Sequence, residues 1–135
     1  KMLAALVERY SYKAVTTDQF RALAAEFSPR GLPDPHLENF FDHWVYGTGI
    51  PQLAVATSVR GKAPAVELKV TVTQTGVSDD FGIDLPVEIR FAGGAKPVTK
   101  WIRTGPDPVV LSMKLRSAPS KVEVAPGSGV LAVRR

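Results

Sequence analysis

Cysteine is absent from this chain of 135 residues. That excludes a disulfide framework and any thiolate metal site, and it is compatible with either redox compartment. Histidine is scarce: only His36 and His43 occur. Read as members of one helix they stand about 10 Å apart, too far to share one metal. No H-E-x-x-H motif occurs, and no Ser/His/Asp order stands out. Asp79-Asp80 brings no further calcium-ligand pattern and reads as a solvated turn. Gly47-x-Gly49 has no strand before it and no helix after it, so it is not a phosphate loop. Nothing approaches the roughly 20 apolar residues of a membrane span. No signal peptide opens the chain. Lys1 is followed by Met2 inside an apparent helix, so the chain reads as a piece of a longer protein. No catalytic residue, metal ligand or cofactor-binding residue is assigned to any position.

The charge is present but unevenly placed. Residues 1–50 carry 5 Lys/Arg against 6 Asp/Glu, while residues 51–135 carry 12 against 7. The basic half invites a test for nucleic acid. Its positives are spread along alternating strand positions, however, and no aromatic-interleaved basic cluster appears. No nucleic-acid partner is expected.

Apolar residues at helical spacing fill the first part. Leu3, Leu6, Val7 and Tyr10 share one face, so residues 1–13 read as the end of a longer helix. Thr16 with Gln19 fits a capping box for a second helix through Phe20, Leu23 and Phe27, ended by Ser28-Pro29-Arg30-Gly31. Leu37, Phe40, Phe41 and Trp44 form the face of a third. Asp34-Pro35 reads as its start, and Gly47 as its left-handed stop. Burying Phe40, Phe41, Trp44 and Tyr46 in full would remove roughly 600–1000 Å² from water, on the order of 15–25 kcal/mol gross. Gly49 and Pro51 forbid a restart.

Beyond Pro51 the period becomes two. Leu53, Val55, Thr57 and Val59 open the series, and Val66, Leu68, Val70 and Val72 give the clearest strand. Leu85 to Phe91 follows, with Pro86 predicting an edge strand or a bulge. Further strands are expected around 98–103, 109–115, 121–124 and 130–133. The predicted fold is α+β. A helical segment of about three helices, residues 1–49, precedes a seven-stranded antiparallel immunoglobulin-like β-sandwich, residues 50–135.

The helix stop and its flanks resemble the zinc aminopeptidases of the aminopeptidase N type, the membrane alanyl aminopeptidase family. The matching residues are Thr16-Thr17-Asp18-Gln19-Phe20, Phe40-Phe41-Asp42-His43-Trp44-Val45 and Gly49-Ile50-Pro51. In that family they mark the end of the helical catalytic lobe and its exit into a small β-sandwich. Thr71-Val72-Thr73-Gln74 and Lys100-Trp101-Ile102-Arg103 resemble strands of that sandwich. The resemblance implies a parent enzyme that removes N-terminal residues from peptides with a zinc-bound water. None of the family's zinc or substrate motifs lies in these residues, so zinc belongs to the implied parent and no cofactor to this chain. Phe40, Phe41, Trp44, Tyr46, Gly47, Gly49 and Pro51 are then a structural helix–sandwich junction.

The implied partner is the catalytic lobe of the same parent chain. Three short helices cannot enclose a core well by themselves. Some of Leu3, Leu6, Val7, Phe20, Leu23 and Phe27 should therefore stay exposed as an interdomain patch, through which the isolated chain self-associates. The competing reading is a free-standing immunoglobulin-like module that binds protein or carbohydrate. An independent module has no need of the helical preface.

Overall fold

The computed structural model describes residues 1–127 and 130–134, with the side chain of Arg134 left out. The chain divides into two compact units, Lys1–Thr48 and Gly49–Arg135. No helix among the described residues is long and apolar enough to cross a membrane.

The first unit holds α1 (Met2–Tyr10), α2 (Thr17–Glu26) and α3 (Glu38–Trp44). At α2 the predicted capping box is present. The Gln19 N–H donates to Thr16 Oγ1 at 3.2 Å, and the Thr16 N–H donates to Gln19 Oε1 at 2.9 Å. These bonds satisfy two donors that a helix start otherwise leaves open.

At α3 the structure departs from the Asp34-Pro35 start. The helix begins at Glu38, behind Leu37 in the left-handed conformation at φ 56°. Asp34 acts from further back: its Oδ2 accepts the Phe40 N–H at 2.9 Å, and its carbonyl accepts the Leu37 N–H at 3.1 Å. A turn thus stands where the extra helical residues were expected. His36 falls in it, so the two histidines do not share a helix.

Gly47 also differs from expectation, for its φ is not positive. A Cβ there would lie 2.6 Å from the His43 carbonyl oxygen and 3.0 Å from that of Asp42. Glycine is required for close packing against the helix end, not for a left-handed turn.

The second unit is built on β1 (Gln52–Lys62), β2 (Ala65–Thr75), β3 (Asp84–Arg90), β4 (Val98–Arg103), β5 (Val109–Leu115) and β6 (Lys121–Val124). Antiparallel pairing gives two sheets of three, ordered β5-β2-β1 and β4-β3-β6. A two-residue strand, β7 (Val133–Arg134), adds to β1 in parallel at Gln52 and Leu53. The expected seventh antiparallel strand at 130–133 is therefore two residues long, shifted and of opposite sense.

Alternation decides what is buried. On β2, Val66, Leu68, Val70 and Val72 are at most 2% exposed, while Leu85, Val87 and Ile89 on β3 are fully buried. Each such side chain contributes roughly 1.5–3 kcal/mol on leaving water. β1 breaks the expected alternation, because every residue after Leu53 is exposed. Val55, Thr57 and Val59 pair with Val72, Val70 and Leu68 and so share their face. On β1 only Leu53 is buried, and the burial does not extend to the residues beyond it.

Pro86 lies in the central strand of its sheet, not at an edge. The Ala125 N–H donates to the Pro86 carbonyl, so the absent Pro86 N–H would point the same way. The β3–β6 ladder begins only at Val87↔Val124, and the missing donor falls just past its end.

Candidate functional site

Two arrangements stand out, one in each unit. In the helical unit an apolar groove of about 530 Å³ opens among Met2, Val15, Phe20, Leu37, Phe40 and Phe41. Phe41 forms its floor and is 4% exposed. The Phe20 ring lies 6.3 Å from it, tilted by 53°, and the Phe40 ring 5.8 Å from it, edge-on at 63°. Both spacings are those of favourable aromatic pairs. The lining is mostly apolar, with Thr16 and Thr17 its polar members, so the groove offers chiefly shape and hydrophobic area.

The expected burial of four aromatics is not realised. Phe41 alone is buried; Trp44 is half-buried, Phe40 is 49% exposed and Tyr46 58%. A helix of seven residues presents too narrow a stripe to bury all four against α1 and α2. Of the candidate interdomain residues, Leu23 is buried, and Leu6 and Phe20 are half-buried. Leu3, Val7 and Phe27 remain exposed at 66%, 64% and 41%. Leu3 and Val7 stand one turn apart on α1, a helix with no buried residue.

Gly49 and Pro51 belong to the β unit. A Cβ on Gly49 would lie 3.3 Å from Val77 Cγ1, and Pro51 is buried with its carbonyl accepting the Val133 N–H at 2.9 Å. The seven junction residues therefore divide: Phe40 to Gly47 finish the helical unit, and Gly49 and Pro51 start the β unit.

The second arrangement is a polar clamp that sequence reasoning missed. Among the described residues of the β unit, Gln74 and Thr104 are the buried polar ones, at 8% and 5% exposure. Thr104 Oγ1 donates to Gln74 Oε1 at 2.6 Å and accepts the Ile83 N–H at 3.0 Å. Gln74 Nε2 donates to the Phe81 carbonyl at 2.8 Å. The network ties the end of β2 to the segment after β4 and closes the acidic loop between β2 and β3. Beside it Arg103 and Asp84 pair at 2.8 Å across the β3–β4 ladder. The guanidinium lies so close over Gly82 that a Cβ there would meet it at 3.0 Å. One signal was legible: Gln74 continues the row of Val66, Leu68, Val70 and Val72, so its register alone predicts burial.

Charged contacts elsewhere are structural. Arg9 grips Glu26 with two hydrogen bonds of 2.9 Å, joining α1 to α2. The Arg9 hydrogen bond holds the Glu26 carboxyl below its ordinary range, and the carboxylate raises Arg9 in return. Glu88 likewise raises Arg90. Arg21 donates to the His36 carbonyl at 3.0 Å and fixes the turn before α3.

Among the described residues no group of three or more His, Asp or Glu is placed to hold a metal ion. Compared with known protein families and with curated proteins, the chain matches none of either.

Proposed function

We propose that this chain is a non-catalytic C-terminal portion of a zinc-dependent aminopeptidase, in which the β unit braces or spaces the helical end of the catalytic lobe. The parent would hydrolyse N-terminal residues from peptides, with its zinc held outside these residues. One observation carries the reading. The division between the units falls at Thr48/Gly49, inside the glycine-rich exit on which the resemblance rests. The helical side keeps exposed apolar residues at Leu3, Val7 and Phe27, as expected of a surface that a further lobe covers.

The strand order supports an immunoglobulin-like sandwich for the β unit. Neighbours β1-β2-β5 correspond to the first, second and fifth strands of one immunoglobulin sheet, and β3-β6 to the third and sixth of the other. A second reading, a free-standing binding module for protein or carbohydrate, draws on the closed core of β2 and β3.

Sequencing the reading frame upstream of the Lys1 codon separates the two. An H-E-x-x-H helix followed after a helical spacer by a ligand Glu is the expected result. A frame in which those motifs are missing overturns the aminopeptidase reading and leaves the module.

A further inference from the structure

The alternation that spreads basic residues along the β unit also gathers them. Val66, Leu68, Val70 and Val72 turn inward from β2, so Glu67 and Lys69 turn outward. Register brings their cross-strand neighbours to the same face. Arg60 on β1 and Lys114 on β5 flank Glu67, while Ser58 and Ser112 flank Lys69. Lys62 ends β1 opposite Ala65, and Arg116 follows the buried Leu115 of β5. All six charged residues are exposed. The face carries five Lys/Arg against one Glu, and the rest of the chain holds 12 of each sign, so the net charge of +4 is concentrated there.

The other sheet shows a neutral face. Opposite its buried row of Leu85, Val87 and Ile89 it carries Asp84, Glu88 and Glu123 with Arg90, Arg103 and Lys121. These are laced together. Arg103 pairs with Asp84 at 2.8 Å, Lys121 with Glu123 at 2.9 Å, and Arg90 with Glu88. Among the described residues, none of Arg60, Lys62, Lys69, Lys114 and Arg116 makes an ion pair. Crowding like charges opposes the compact state. The first sheet retains that repulsion where the second removes it.

Shape narrows the choice of partner. Neighbouring strands lie about 5 Å apart and alternate residues about 7 Å apart, so the charges spread over a broad surface. They act together there, within a screening length of about 8–10 Å. The side chains between them are short: Ala56, Ser58, Thr71 and Ser112. None of the three strands contains an aromatic residue, so nucleic-acid bases find nothing to stack on. A plane of negative charge requires neither a stack nor a pocket.

We infer that this face docks the β unit on an anionic lipid surface, its acidic headgroups meeting Arg60, Lys62, Lys69, Lys114 and Arg116. Clusters of about four to eight basic residues bind such surfaces by electrostatic attraction. The contact is peripheral and reversible, and it requires no spanning segment. It rests on the β unit alone and not on the aminopeptidase reading.

Cosedimentation of the 135-residue chain with vesicles tests it. The chain should bind phosphatidylcholine vesicles containing about one-third phosphatidylserine, and not phosphatidylcholine alone. Binding should be released at about 1 M salt, where the screening length falls to about 3 Å. Lys69→Gln should lower the partition coefficient about fivefold, the equivalent of roughly 1 kcal/mol for one charge at the surface. Adding Lys114→Gln should bring the loss to about 25-fold. Lys121→Gln removes the same charge from the other sheet and should leave binding unchanged. Glu67→Gln should raise the coefficient about fivefold, a gain confined to the acidic vesicles. Failure to bind the acidic vesicles overturns the inference. So does equal binding to neutral ones, an equal loss in Lys121→Gln and Lys69→Gln, or a Glu67→Gln chain that gains nothing. Tighter retention on duplex DNA or on a sulfated polysaccharide than on the vesicles also overturns it.

Discussion

Gln74 sits at the end of a β2 row that is otherwise aliphatic, and its amide is committed on both sides. Replacing it with Leu keeps the volume but leaves the Phe81 carbonyl without that donor and the Thr104 hydroxyl without that acceptor. A buried polar group left unpaired costs about 1–3 kcal/mol. Gln74→Leu should lose that much in chemical denaturation. Adding Thr104→Val should cost less than the two single losses summed, because the partners disappear together. The two tryptophans make a second residue-scale contrast. Trp101 is 67% exposed on β4, whereas Trp44 is half-buried at the end of α3. Trp101→Ala should stay within about 0.5 kcal/mol of the parent chain. Trp44→Ala should destabilise by clearly more, and an equal or reversed loss in denaturant midpoint overturns the assignment.

Helices and strands were legible to different depths, and α1 shows why. Its period predicted a helix, and a helix is present at Met2–Tyr10. Its burial was not predictable, because period reports a face but not what covers it. The same holds for β1, which is a strand as its period predicted although every residue after Leu53 is exposed. Pro86 was misplaced for a related reason: proline excludes a ladder bond on one side only, and sequence does not reveal where the neighbouring strand stops. Local chemistry was more transparent, as the Thr16–Gln19 capping box shows. The clamp at Gln74 and Thr104 is non-local, and only the register of Gln74 hinted at it.

With no buried residue of its own, α1 is tied to α2 through Arg9 and Glu26. Glu26 has a lowered folded pKa, so its contribution is present above the unfolded carboxyl value and is lost as pH falls through the folded one. Arg9 has a raised pKa, and its contribution is lost only at strongly alkaline pH. The sensitive window is therefore on the acid side. Amide exchange in α1 should speed up relative to α2 as pH drops below the carboxylate range, after correction for intrinsic rates. Glu26→Gln should show the faster α1 exchange already at neutral pH and little further change in acid. An α1 whose relative protection ignores both acid and the substitution overturns this account.

At the scale of the whole molecule the chain is two units with separate accounts. The helical unit has few buried residues, Leu23 and Phe41 foremost. The β unit keeps rows on β2 and β3 that are essentially inaccessible, and Phe81, Ile102, Leu115 and Val124 are buried as well. Residues 50–135 should therefore fold without the helices. Expressed alone, they should give a β-type far-UV spectrum and one cooperative thermal transition. Its enthalpy should be about 60 kcal/mol, the value expected for a domain of that length. The 135-residue chain should show the same transition, because the core that melts is the same. The helices alone should melt broadly or not fold, since three short amphipathic elements bury too little surface to offset their ordering entropy. A disordered 50–135 segment, or one whose transition moves sharply when the helices are restored, would mean that the helical unit completes the β core. The brace role proposed for the sandwich would then have to be reversed, with the helices stabilising the strands.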